Sequence, residues 1–78
     1  MLEVLYFASL RDAAGVASER LPAADGDLAT LYDRLQLRHG FALTRERLRV
    51  AVDGAFADWG DVQRAGSVVA FIPPVSGG

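Results

Sequence analysis

The residues with the most chemistry to offer stand at the C-terminal end, Phe71-Ile72-Pro73-Pro74-Val75-Ser76-Gly77-Gly78. Pro73 and Pro74 have no N–H to give to a sheet and hold φ at about −65°, so a strand cannot run past them. Beyond them, residues 75–78 are expected to form a flexible, extended tail that reaches at most about 14 Å. Val75, Ser76 and Gly77 are slender, and no side chain from Ala65 onward is charged, so the tail's one charge is the carboxylate of Gly78. Such a tail suits insertion into a narrow pocket of another protein. Glycine lacks the Cβ that would block a tunnel, and it leaves its carbonyl open to attack. A buried carboxylate is costly unless it meets a cation or is chemically converted. The chemistry on offer is therefore attack at the terminal carbonyl or conversion of the carboxylate, with Gly78 reacting and Val75, Ser76 and Gly77 as the inserted segment. A terminal Gly-Gly alone reads equally well as a frayed end. Behind Pro-Pro and an apolar run, the combination is specific.

Competing chemistries find less support. The chain has no cysteine, hence no disulfide, thiolate metal site or cysteine nucleophile. His39, the one histidine, is expected at a helix end beside Gly40, where a cation favours the helix dipole. Ser9 and Ser76 have no histidine at a spacing that could activate them. Asp53, Asp58 and Asp61 match no calcium loop and read as turn residues. No glycine-rich run could cradle a phosphate, so no cofactor is expected on this chain. The formal net charge is −2, with arginines scattered among acids and no lysine, which argues against a nucleic-acid partner. Residues 1–10 lack the basic start of a leader, and no apolar run approaches the ~20 residues of a membrane span. A soluble, cytoplasmic protein without a membrane partner is expected.

These groups must be positioned by a small body, and at 78 residues one domain is expected, residues 1–74, ahead of the tail. Leu2, Val4 and Tyr6 alternate, and the uncharged stretch Val4 to Ala8 predicts a strand buried on both faces. Ser9 is expected to cap a single helical turn ending at Gly15. Ala17 to Leu21 is a weaker strand, stopped by Pro22. Asp25-Gly26-Asp27 should cap a helix over 28–39, in which Leu28, Leu31, Tyr32 and Leu35 recur at i, i+3, i+4, i+7. Gly40 and Phe41 predict a Schellman ending. Leu48 to Val52 alternates as a half-buried strand, Asp53-Gly54 suits a type I′ turn, and Ala55 to Ala57 returns. Residues 58–64 connect, pinned by Trp59 and Val62. Ala65-Gly66 then turns into an apolar central strand over 67–72. The first and last strands are the most apolar, as expected of parallel neighbours in mid-sheet. The fold class is α+β: a ubiquitin-like β-grasp roll, with a mixed sheet of four to five strands and one main helix across one face.

With these elements in place, the whole chain resembles the small, sulfur-carrier subunits of molybdopterin synthase. The resemblance lies in Val4 to Ala8 with Arg11-Asp12 and Gly15, in the helix, in Ala51-Val52-Asp53, and above all in the block from Val69 to Gly78. It implies a cycle in which an ATP-dependent activating enzyme adenylates the Gly78 carboxylate. A sulfur donor then converts it to a thiocarboxylate, and the tail enters the large synthase subunit, within a heterotetramer. There the sulfur passes to cyclic pyranopterin monophosphate to build the dithiolene. ATP is then used by the partner, catalytic side chains lie in the large subunit, and this chain is a co-substrate more than an enzyme. The chemistry is consistent: a thiocarboxylate is a soft nucleophile that needs no cysteine.

The same resemblance implies an apolar docking patch, for which position selects Phe7, Phe56, Ile72, Pro73 and Pro74, with Arg11 at its rim. Taken singly, Phe7, Phe56, Phe71 and Ile72 each read more readily as core. The sequence departs from the family's pattern at Ala65-Gly66-Ser67, usually acidic, and at Asp53, often asparagine. Alternatives are a ubiquitin-like modifier conjugated through Gly78, a carrier of the thiamine type, and a structural β-grasp module. Thiamine-type carriers are generally shorter and lack the Pro-Pro pair.

Overall fold

The computed structural model describes residues 1–74; the expected tail, Val75, Ser76, Gly77 and Gly78, lies outside the described residues. Five strands form one mixed sheet in the order β2-β1-β5-β3-β4. They are β1 (Leu2–Tyr6), β2 (Ser18–Leu21), β3 (Arg49–Val52), β4 (Ala55–Ala57) and β5 (Val68–Ile72), with helices α1 (Ala8–Ala14) and α2 (Leu28–His39). β1 and β5 are parallel neighbours (Val4 opposite Val69, Tyr6 opposite Phe71), and every other pairing is antiparallel. The ubiquitin-like β-grasp expectation holds, with the two most apolar strands adjacent in mid-sheet.

α2 shows why local chemistry suffices for its boundaries. Asp27 accepts from the Thr30 N–H at 2.8 Å, and Thr30 Oγ1 donates to the same carboxylate oxygen at 2.9 Å. At the other end Gly40 adopts φ 73°, and the Phe41 N–H reaches back to the Gln36 carbonyl at 3.2 Å, a Schellman closure. Between the caps, Leu28, Leu31, Tyr32 and Leu35 are all buried against the sheet. They meet the inner sheet residues Val4, Tyr6, Val50, Val69 and Phe71 in one core. Trp59 stacks on Phe71 with ring centroids 5.9 Å apart, and both rings flank Tyr32. Buried Gln63 joins the connecting segment to the start of α2, donating to the Asp27 carbonyl and accepting from the Ala24 N–H.

Three local expectations are corrected. Ser9 caps nothing: α1 begins at Ala8 with Phe7 as the residue before it, so Ser9 already lies inside a seven-residue helix. β1 ends at Tyr6 and is buried on one face only; Glu3 and Leu5 are half-exposed, because both helices' buried residues join the core on the other side. Val62 does not pin its segment by packing, since its side chain is 58% exposed; its backbone pairs with Asp27 instead. The type I′ turn is as expected, with Asp53 at φ 51° and Gly54 at φ 86°. Asp53 also ties the hairpin to the sheet: its N–H donates to the Val68 carbonyl and its carboxylate accepts from the Val68 N–H, both at 2.9 Å.

Candidate functional site

Alternation along the strands sorts side chains between the core and the opposite, helix-free face of the sheet. Register then carries one apolar row across that outer face: Leu5 lies opposite Ala70, Ala70 opposite Ala51, and Ala51 opposite Phe56. Ile72 extends the row toward the C-terminal end, opposite Arg49. Phe7 joins from the end of β1. It leaves the strand extended, Ala8 turns the chain at φ 51°, and the Phe7 ring stays 45% exposed. Phe56, at 68%, is the most exposed aromatic side chain among the described residues.

The row floors a shallow groove of about 270 Å³ between Leu5, Phe7, Phe56 and Ile72. Beside it, sharing Phe56 and Ile72, a second hollow of about 380 Å³ is walled by Arg47, Arg49, Pro73 and Pro74. Five of the six expected contact residues, Phe7, Phe56, Ile72, Pro73 and Pro74, thus come together on one surface. That surface leads to the point where the chain continues to Val75. Arg11 is not among them: it is exposed on α1 and, among the described residues, lines neither hollow. A larger hollow of about 460 Å³, between Leu28, Asp61 and Val62, shares no described lining residue with the groove. It lies toward the start of α2, away from the chain's exit.

The arginine on this face went unremarked in the sequence. The Arg49 guanidinium carbon sits 5.1 Å from the centre of the Phe56 ring, a cation–π arrangement that only the β3–β4 register creates.

A polar cluster lies elsewhere, where β1, β2 and the end of α2 meet. The Glu19 carboxylate accepts from the Tyr6 hydroxyl at 2.6 Å and from the His39 Nε2–H at 2.6 Å, and Arg38 stands 3.6 Å away. Burial pushes the Glu19 carboxyl up, but those hydrogen bonds and the Arg38 charge outweigh it and hold the group below its usual 4.5. Burial, reinforced by Glu19, raises the Tyr6 hydroxyl well above 10. The Tyr32 hydroxyl, which donates to the Leu43 carbonyl at 2.6 Å, is pushed up to about 12 by burial and by Asp33. His39 ends α2 as expected, with its ring committed to Glu19. Asp58 and Asp61 close a turn on each other, and no group of three metal-ligating side chains occurs among the described residues. No helix among them is long and apolar enough to cross a membrane.

Comparison with known proteins agrees with this picture. The model of the ThiS family matches residues 4–78. Over 82 residues the chain is 37% identical to the molybdopterin synthase sulfur carrier subunit of Homo sapiens, covering 99% of this chain and 93% of that one. SAMP1 from Haloferax volcanii shares its structure at a TM-score of 0.81 and 29% identity, covering 99% of this chain and 98% of that one. A Pyrococcus furiosus chain described as a molybdopterin converting factor subunit 1 follows at a TM-score of 0.77 and 28% identity, covering 95% and 97%. The chain belongs to the ThiS family and carries its ubiquitin-like β-grasp fold.

Proposed function

We propose that the chain is the sulfur carrier of molybdopterin synthesis and that its reacting group is the Gly78 carboxylate. The observation that carries this reading is the outer apolar face, which runs unbroken from Leu5 and Phe7 to Ile72, Pro73 and Pro74. It offers a docking surface adjoining a slender tail whose side chains carry no charge and which ends in a carboxylate. Likeness to the human sulfur carrier supports the same reading.

A carboxylate oxygen is a poor leaving group, so an ATP-dependent partner must first adenylate Gly78. Sulfur at the sulfide level, released by a donor, then attacks the carbonyl carbon, the bond to AMP breaks, and a thiocarboxylate results. Docked on the large subunit of molybdopterin synthase, the tail presents that sulfur to cyclic pyranopterin monophosphate. The sulfur attacks a side-chain carbon of the pterin and displaces an oxygen from it; water then cleaves the acyl carbon–sulfur bond, leaving sulfur on the pterin and returning the Gly78 carboxylate. This chain's residues bind and position; the partner supplies the catalytic side chains.

Likeness to SAMP1, a small archaeal modifier protein, favours a second reading: conjugation to other proteins through Gly78. Intact mass separates the two after incubation with an activating enzyme, ATP and a sulfur donor. A gain equal to one sulfur for one oxygen supports the carrier. Isopeptide-linked adducts in cell extract, without that gain, support the modifier. Full function after removal of Gly77 and Gly78 would defeat both.

A further inference from the structure

Whatever docks on the outer face through Phe56 must also cover Arg49, because the guanidinium lies on that ring. From this we infer that the partner bound there presents a carboxylate side chain opposite Arg49, set at the rim of an otherwise apolar contact. The inference rests on the carrier reading above and takes the large subunit as the partner.

Three observations converge. First, Arg49 faces outward at the C-terminal end of the sheet, level with Ile72, and among the described residues neither it nor Arg47 is ion-paired. Arg47 and Arg49 wall the hollow that ends on Pro73 and Pro74, with Glu46 the one acid beside them. A chain of net charge −2 therefore places a local positive excess where its tail departs. Second, a guanidinium stripped of water and left unpaired is strongly disfavoured, so an apolar partner surface alone would be repelled there. Third, the contact with Phe56 anchors the guanidinium, and no ion pair among the described residues engages its N–H groups. That geometry suits two parallel hydrogen bonds to one carboxylate, and less is lost in ordering the side chain on binding. Apolar burial then supplies contact while the ion pair sets register and raises the encounter rate.

The test compares wild type with Arg49→Glu, Arg49→Lys and Arg49→Leu. Dissociation constants for the large subunit are measured by calorimetry at rising salt, and each variant's melting temperature confirms folding. Arg49→Glu is expected to weaken binding on the order of 30-fold or more, since it sets two carboxylates together. Arg49→Lys should recover part of the affinity, and Arg49→Leu should flatten the dependence on salt. Equal or tighter binding by Arg49→Leu, with an unchanged salt dependence, would overturn the inference. So would unchanged binding by Arg49→Glu. If wild type itself neither binds the large subunit nor gains sulfur, the carrier reading fails instead, and the two failures are thereby distinguished.

Discussion

Truncating two phenylalanines, one on each face of the sheet, separates folding from docking. Phe71 is fully buried, its ring 5.1 Å from Tyr32 and 5.9 Å from Trp59. Phe71→Ala opens a cavity in the hydrophobic core of a small domain and should cost about 3–5 kcal/mol. Domains of this size have roughly 5–15 kcal/mol in total, so the melting temperature should fall on the order of 15–30 °C. Phe56 leaves 68% of its surface exposed, so folding hides only the remaining third. Full burial of such a ring is worth about 1.5–3 kcal/mol, so Phe56→Ala should cost less than about 1 kcal/mol of stability. Binding inverts the order: Phe56→Ala should weaken affinity for the large subunit about tenfold or more, as expected of an aromatic anchor. Thermal denaturation by circular dichroism and calorimetric titration measure the two quantities on the same samples. If Phe56→Ala lost as much stability as Phe71→Ala, or bound the large subunit as wild type does, the division into a core face and a docking face would be wrong.

Glu19→Gln should destabilise the protein in a pH-dependent way, because the folded carboxyl is held below 4.5. The stability it contributes is present above about pH 4.5 and fades as pH falls through the lower folded value, so wild-type and variant urea midpoints should converge in acid. A constant gap between them would contradict the hydrogen-bonded hub. Asp53→Asn should leave the melting temperature nearly unchanged, since an amide oxygen can still accept from Val68 and asparagine tolerates positive φ. Asp53→Ala should lose about 1–2 kcal/mol of stability, read from urea denaturation, through both the missing bond and the strained turn. Deleting Gly78 should abolish sulfur transfer while calorimetric affinity for the large subunit changes little, because the apolar face supplies much of the contact; equal losses in both would refute that split.

Elements governed by neighbours in the chain were legible, and those governed by tertiary meetings were not. α2 carries its own start and stop in Asp27, Thr30 and Gly40, and the hairpin carries its turn in Asp53-Gly54. The exposed face of β1 is not marked in the sequence, because an uncharged run looks equally buried on both sides until the packing layers are known. The Tyr6–Glu19–His39 cluster joins residues 13 and 20 positions apart, and no local pattern marks it. Phe56 could be singled out as apolar and well placed, but its partnership with Arg49 follows from strand register alone. Arg11 is exposed on α1, which starts directly after β1, and lines neither hollow among the described residues.

The most direct test of the sulfur-carrier reading is a single turnover with purified thiocarboxylated protein, the large subunit and cyclic pyranopterin monophosphate, followed by intact mass and molybdopterin analysis together. The account predicts that the chain returns to its carboxylate mass as sulfur appears in the pterin, in proportion. A chain that keeps its sulfur while molybdopterin forms, or loses it without any reaching the pterin, would contradict it.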